Sequence, residues 1–131
     1  MPIRIVQLGS DRLPGEGLRL GTVRRPPRGV PKSEYARLNF YDVWLPELSP
    51  GAGVIAEYQR SKGDDKAWSR LERRYRAEMK EPERARLLGL LAALSHTASF
   101  SVGCYCADER RCHRSILRDI LRSHGAQLES M

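Results

Sequence analysis

The residues best suited to chemistry are gathered in one short stretch in the last third of the chain. The stretch Cys104 to Ser115 reads Cys-Tyr-Cys-Ala-Asp-Glu-Arg-Arg-Cys-His-Arg-Ser and contains all three cysteines of the protein. A cysteine thiolate is a nucleophile and a metal ligand, and a neighbouring imidazole is a common general base. Cys112 and His113 are therefore the candidate catalytic pair. Arg110 and Arg114 are candidate ligands for an anion.

Two other chemical interpretations of this stretch stay open. The alternative set of metal ligands is Cys104, Cys106, Cys112 and His113. Its spacing lacks the paired Cys-x2-4-Cys knuckles of common zinc sites, so the leading prediction has no metal. Cys104 and Arg110 have the Cys-x5-Arg spacing of cysteine phosphatases, but loop glycines that would curl around a phosphate are missing. A purely structural role, with buried cysteines and a histidine that holds the loop, is the plainest alternative.

A strand and a helix are predicted to position this stretch. Residues 99–106 are β-prone, and the apolar residues within 116–121 predict a last helix that Gly125 ends. The reactive stretch then lies between the carboxyl end of a strand and the start of a helix. Ligands collect at that edge of open α/β sheets, and a helix start favours anions and thiolates.

A second cluster of guanidinium groups is predicted on a loop near residue 26. Leu18 to Val23 alternates as a strand and leads into Arg24-Arg25-Pro26-Pro27-Arg28-Gly29, where the prolines exclude a helix. Arg24 and Arg28 are therefore further candidate ligands for phosphate or carboxylate. The alternative is an ordinary solvated surface loop.

The remaining pattern predicts helices packed on a small sheet. Residues 3–8 are a strand, residues 30–50 are irregular or a short strand, and a helix follows Gly51. A second helix carries a core stripe of Trp68, Leu71, Tyr75 and Met79, and Asp64 or Asp65 could cap it. A third begins near Pro82 and turns Leu87, Leu88, Leu90, Leu91 and Leu94 inward.

These elements give a predicted α/β fold in the order β-β-loop-α-α-α-β-α, with helices packed on a small sheet. A length of 131 residues suits one domain, 1–131, with its core at about 3–124 and a short tail. No apolar run is long enough for a membrane span and no secretion signal is evident, so a cytoplasmic location without membrane partners is expected.

The net charge of +7 is uneven along the chain. Residues 1–37 hold eight Lys/Arg against three acids, and residues 106–123 hold five against three. This excess favours a small anionic ligand as the partner. Nucleic acid is the alternative, bound along a row formed by Arg114, Arg118 and Arg122 on one face of the last helix. The sequence identifies no cofactor, no oligomeric state and no reaction.

Four landmarks resemble the YeaO-like bacterial and archaeal proteins of domain of unknown function 488. They are Arg24 with Pro27-Arg28-Gly29, Trp44-Leu45-x-Glu47-Leu48-x-Pro50, Trp68 to Met79 with Arg74-Tyr75-x-x-Glu78, and Cys106-Ala107 followed by Cys112-His113-Arg114. The family usually has Asp-Arg-Leu-Trp-Pro-Arg-Gly where this chain has Val23 to Gly29, so an acid and an aromatic residue are missing here. The resemblance implies a small cytoplasmic α/β domain without an established activity.

The landmarks lead to one hypothesis about function. Arg24 and Arg28 belong to one landmark and Cys112, His113 and Arg114 to another. Two strands that end at the same edge of a sheet would bring both loops together. We therefore expect one electropositive cleft for a small anion or phosphate group, with a reactive cysteine as an option.

Overall fold

The computed structural model describes residues 2–61, 63–106 and 111–129, and a parallel sheet of four strands lies at its centre. The strands are β1 (Ile3–Gln7), β2 (Leu18–Gly21), β3 (Val43–Trp44) and β4 (Phe100–Cys104), in the spatial order β1-β4-β2-β3. Every strand pairing in this sheet is parallel. The α/β prediction is confirmed, and the irregular segment 30–50 contributes the shortest strand.

β4 is an inner strand of the sheet, and its carboxyl end lies beside that of β2. All five of its residues are buried. A Cβ atom added to Gly103 would lie 2.5 Å from the carbonyl oxygen of Val6, so only glycine allows this close approach to β1. Gly21 of β2 pairs with Gly103, and the next residue, Thr22, donates its backbone N–H to the Gly103 carbonyl at 3.0 Å. The loops after β2 and β4 therefore start side by side.

The described residues form four α-helices, which pack on the sheet and on one another, and two short 3-10 helices, Lys32–Glu34 and Pro46–Leu48. The α-helices are α1 (Ala52–Arg60), α2 (Asp65–Met79), α3 (Pro82–Leu94) and α4 (His113–Ser123). Asp64 caps α2 as predicted, accepting a hydrogen bond from the Lys66 N–H at 2.9 Å. Pro82 lies in the first turn of α3, where its missing N–H breaks no helical bond. Gly125 follows α4 with a φ of 88° and ends it.

The observed burial confirms most of the predicted apolar stripes, but the stripe predicted for α3 was partly wrong. Leu71, Tyr75 and Met79 of α2 are buried, and the Tyr75 hydroxyl donates to the Leu48 carbonyl at 2.5 Å. In α3 the prediction was wrong for Leu90 and Leu94, which are 55% and 41% exposed. A single helical face admits only three or four residues in two turns, and Leu87, Leu88 and Leu91 occupy it in α3.

β2 buries an arginine beside its inner leucine, Leu20. Arg19 is wholly buried, whereas Leu18 is 56% exposed. The Arg19 guanidinium donates to both carboxylate oxygens of Glu16, at 2.9 and 3.1 Å, and to the Ser10 carbonyl at 2.8 Å. Burial raises the pKa of Glu16, but hydrogen bonds from Arg19 and Ser101 lower it more, so the net shift is downward. Through these bonds, Arg19 of β2 holds Glu16 and Ser10, which lie in the connection between β1 and β2, against the sheet.

Residues beyond the predicted core limit of 124 also belong to the folded part. Ile3 donates its N–H to the Gln127 carbonyl and accepts from the Glu129 N–H, each at 2.9 Å. Arg4 forms an ion pair with Glu129 at 2.8 Å. Within the described ranges, no helix has both the length and the apolar character needed to cross a membrane.

Candidate functional site

A cavity of about 560 Å³ lies at the carboxyl ends of β2 and β4. Its walls come from the loop after β2, the residues after β4, the start of α4, and the facing sides of α1 and α2. The cationic residues among its described lining are Arg24, Arg25, Arg28 and Arg111. None of the lining residues that the structure describes is acidic. Of the residues selected from the sequence, Arg24, Arg28, Cys112 and His113 meet at this cavity.

Arg24 is held against the cavity wall by backbone carbonyls. Its Nε donates to the Pro50 carbonyl at 3.3 Å, and its Nη2 donates to the Ser49 carbonyl at 3.1 Å. At the position where the resembled family has an acid, this chain has Val23, which is buried. Carbonyl oxygens at the start of α1 therefore orient Arg24 in this protein, without a carboxylate at position 23.

Two aromatic side chains fix the backbone of the arginine loop. The Tyr105 hydroxyl donates to the Arg25 carbonyl at 2.9 Å, and Trp44 Nε1 donates to the Val23 carbonyl at 2.7 Å. The side chains of Arg25 and Arg28 are exposed and line the cavity. The backbone of this loop is therefore held in place from two sides.

His113 joins the start of α4 to the end of β2. Its Nε2 lies 2.7 Å from the Thr22 carbonyl, and because a carbonyl only accepts, Nε2 carries the proton. Desolvation in the cavity wall, reinforced by the positive charge of Arg114, lowers the pKa of His113 to about 4. The imidazole is therefore neutral at pH 7, and its lone pair is on Nδ1.

The three cysteines cluster at the end of β4. Cys104 and Cys112 are buried and paired as a disulfide, and Cys106 is exposed with its thiol free. The three Sγ atoms lie within 4.8 Å of one another. His113 is not part of this cluster, so three of the four residues in the alternative metal set converge. The backbone N–H of Cys106 also donates to the Cys104 sulfur at 3.4 Å.

Arg114 has a different place from the one expected of a ligand-binding residue. It is 4% exposed, lies outside the cavity lining, and donates from Nη2 to the Cys106 carbonyl at 2.7 Å. It therefore positions the loop that carries Cys106. Its burial also interrupts the row of Arg114, Arg118 and Arg122 that was considered for nucleic acid. Arg110 lies outside the residues that the structure describes.

Sequence reasoning did not select two aromatic residues that line the cavity. Tyr58 of α1 and Trp68 of α2 pack edge to face with ring centroids 5.4 Å apart. Arg111 lies over the Trp68 ring at 5.8 Å and forms an ion pair with Asp65. The sequence assigned Trp68 to the core stripe, because helical spacing alone does not separate a core face from a cavity wall. The only signal was its presence in a family landmark.

The comparisons with known proteins identify one related family. A family model described as the active DUF488-N3 subclade matches residues 3–125. The match covers all four strands and helices described above and both loops of the cavity. No curated protein and no solved structure matches the chain.

Proposed function

Since this chain belongs to domain of unknown function 488, in its active DUF488-N3 subclade, we propose that it binds a small anionic ligand through a phosphate or carboxylate group. The binding site is the cavity at the carboxyl ends of β2 and β4. The observation that carries the proposal is the convergence of arginines from two loops that are distant in sequence, Arg24, Arg25 and Arg28 from one and Arg111 from the other.

The charge balance of the cavity favours an anion. Four guanidinium groups line it, and its described lining contains no carboxylate. Guanidinium groups bind phosphate and carboxylate oxygens through paired, charge-assisted hydrogen bonds. The start of α4 lies in the same wall, and the positive end of its dipole adds to the attraction.

The remaining walls indicate a ligand with an apolar or planar body. Ile55 and Leu71 are apolar lining residues, and Tyr58 and Trp68 present aromatic rings. The volume of about 560 Å³ falls within the usual range of roughly 300–1,000 Å³ for small-molecule sites. A ligand that joins an anionic group to such a body fits these walls better than a bare ion.

His113 is a hydrogen-bond acceptor in this proposal. Its neutral ring leaves Nδ1 able to accept a hydrogen bond at pH 7. Cys112 precedes it, is buried at the start of α4 and lies in the cavity wall. A catalytic role of this pair follows from their place in the cavity wall and stays part of the proposal.

The proposal is tested by calorimetric titration with inorganic pyrophosphate, which represents the anionic group alone. Arg28→Ala removes an exposed guanidinium from the cavity, so we expect pyrophosphate affinity to fall about 10-fold, equivalent to ~1.4 kcal/mol. Arg86→Ala removes an exposed guanidinium from α3, outside the cavity, and is the matched control. It should bind pyrophosphate like the wild type.

Two outcomes would contradict the proposal. Equal losses of pyrophosphate affinity in both variants would indicate general charge attraction, not a site. Steeply salt-dependent binding of DNA or RNA that both variants weaken equally, without pyrophosphate binding, would favour the alternative of a basic nucleic-acid-binding surface.

A further inference from the structure

The geometry points to a zinc site: we propose that Cys104, Cys106 and Cys112 hold one zinc ion in the cavity wall, with the fourth coordination position open to the cavity. The proposal concerns the thiols alone. It does not depend on the anion-binding proposal, because zinc occupancy can be measured without any anionic ligand.

When Cys104 and Cys112 are reduced, the three sulfur atoms are close enough to share one ion. They lie within 4.8 Å of one another. Two thiolates on one tetrahedral zinc are separated by about 3.8 Å, given a Zn–S distance of about 2.3 Å. Regular secondary structure holds two of these cysteines in position. Cys104 is the last residue of β4, and Cys112 is the residue before α4, while Cys106 follows Cys104 by two residues.

A disulfide accounts for fewer of the observations. The Cα atoms of Cys104 and Cys112 are 7.8 Å apart, whereas disulfides usually span about 4.4–6.8 Å between Cα atoms. Two ligands of one ion tolerate wider backbone spacing, because the metal lies between their sulfur atoms. A disulfide would also leave the proximity of Cys106 without a role.

The cluster supplies three ligands and no fourth among the described residues. His113 Nε2 is hydrogen-bonded to Thr22, and its ring lies outside the thiol cluster. Three protein ligands with one open position are characteristic of catalytic zinc, whereas structural zinc is usually closed by four. All three cysteines line the cavity, so the open position lies on the cavity side.

The surrounding charges support three thiolates on one ion. Zinc with three thiolates carries a net charge of about −1. The positive end of α4 begins at Cys112, and Arg111 lines the same cavity. Arg114 donates to the Cys106 carbonyl at 2.7 Å and so holds the exposed ligand in place. The same zinc would act as a Lewis acid on an oxygen of a ligand bound in the cavity.

The test measures zinc by elemental analysis in full-length protein prepared with reductant and without chelator. We expect one zinc per chain and, after chelation and denaturation, three free thiols by Ellman titration. Cobalt substitution should give the intense thiolate-to-metal absorption of cysteine ligands. Cys106→Ser changes an exposed residue that is not needed for the core, and it should weaken zinc affinity by more than about 10-fold.

Two histidine variants are the matched controls. His113→Ala should retain zinc, because the ring is not a ligand, and so should His124→Ala, which removes an exposed histidine. Loss of zinc from a His113→Ala protein that keeps the wild-type circular dichroism spectrum, with zinc retained in His124→Ala, would overturn the three-thiolate assignment. A metal-free protein with one free thiol would overturn it in favour of a Cys104–Cys112 disulfide. Unchanged zinc affinity in Cys106→Ser would also overturn it.

Discussion

His113 links the two loops at the scale of a single residue. Its proton-bearing nitrogen binds the Thr22 carbonyl at the end of β2, while its backbone begins α4. Its ring and that of Tyr75 pack edge to face, with ring centroids 5.7 Å apart. The imidazole is thus held in one tautomer and one orientation, with Nδ1 as a hydrogen-bond acceptor.

The lowered pKa of His113 predicts a pH dependence of stability. In the unfolded chain a histidine titrates near 6.5, and in the fold His113 titrates near 4, so the unfolded state binds more protons between these values. Stability is therefore fully retained above pH 6.5 and is lost as the pH falls towards 4, by up to about 3 kcal/mol from this group.

Urea unfolding of the wild type and of His113→Gln between pH 7 and pH 4 measures this contribution. The free energy of unfolding of the wild type should fall more steeply with acid than that of the variant. His124→Gln, which changes an exposed histidine, should follow the wild-type curve. Parallel curves for wild type and His113→Gln would show that His113 is not desolvated in the fold.

Individual residues also mark the limit of prediction from sequence. Arg24, Arg28, Cys112 and His113 were selectable because their chemistry stands out and both segments follow strands. The burial of Arg19 was not predictable, since its partner Glu16 and the carbonyls around it are assembled only by the fold. The orientation of Arg24 by carbonyls at the start of α1 is likewise a tertiary feature.

At the scale of elements, the cavity depends on how β2 ends beside β4. Gly21, the last residue of β2, lies under the ring of Tyr41, and an added Cβ would be 2.3 Å from Tyr41 Cδ2. Tyr41 is buried and cannot move aside freely. The next residue is Thr22, whose carbonyl binds His113. A change at Gly21 therefore reaches both the core and the candidate site.

Gly21→Ala should lower the free energy of unfolding by about 1–3 kcal/mol, because the new methyl group overpacks a buried contact. The matched control is Gly53→Ala in α1, where an added Cβ meets nothing within 4 Å. That variant should be as stable as the wild type or gain up to about 1 kcal/mol, since alanine favours a helix. Chemical denaturation measures both, and equal effects would contradict the close contact at Gly21.

The positions of helices and strands were more predictable from the sequence than which of their side chains are buried. Local signals such as the Asp64 cap, Pro82 and Gly125 set helix ends correctly. The same local signals do not say which apolar residues a neighbouring element covers. Leu90 was therefore predicted inside and is exposed, while Trp68 was assigned to the core and also forms a cavity wall.

At the scale of the whole molecule, the positively charged residues are not spread evenly over the surface: some line the cavity and others are buried. The excess in residues 1–37 and 106–123 includes the arginines of the cavity, whereas Arg19 and Arg114 are buried in structural contacts. Part of the positive charge thus holds the fold together, and another part lines the cavity at the carboxyl ends of β2 and β4. The parallel order β1-β4-β2-β3 makes this possible, because it brings the ends of β2 and β4 together.

The central claim is that the two loops form a single anion site. Titration of 15N-labelled protein with inorganic pyrophosphate, followed by amide chemical shifts, tests it most directly. We predict that the amides of residues 24–29 and of residues 111–114 shift together, with one shared dissociation constant. Shifts confined to one loop, or spread over the exposed arginines of α2 and α3, would contradict a single site at the carboxyl ends of β2 and β4.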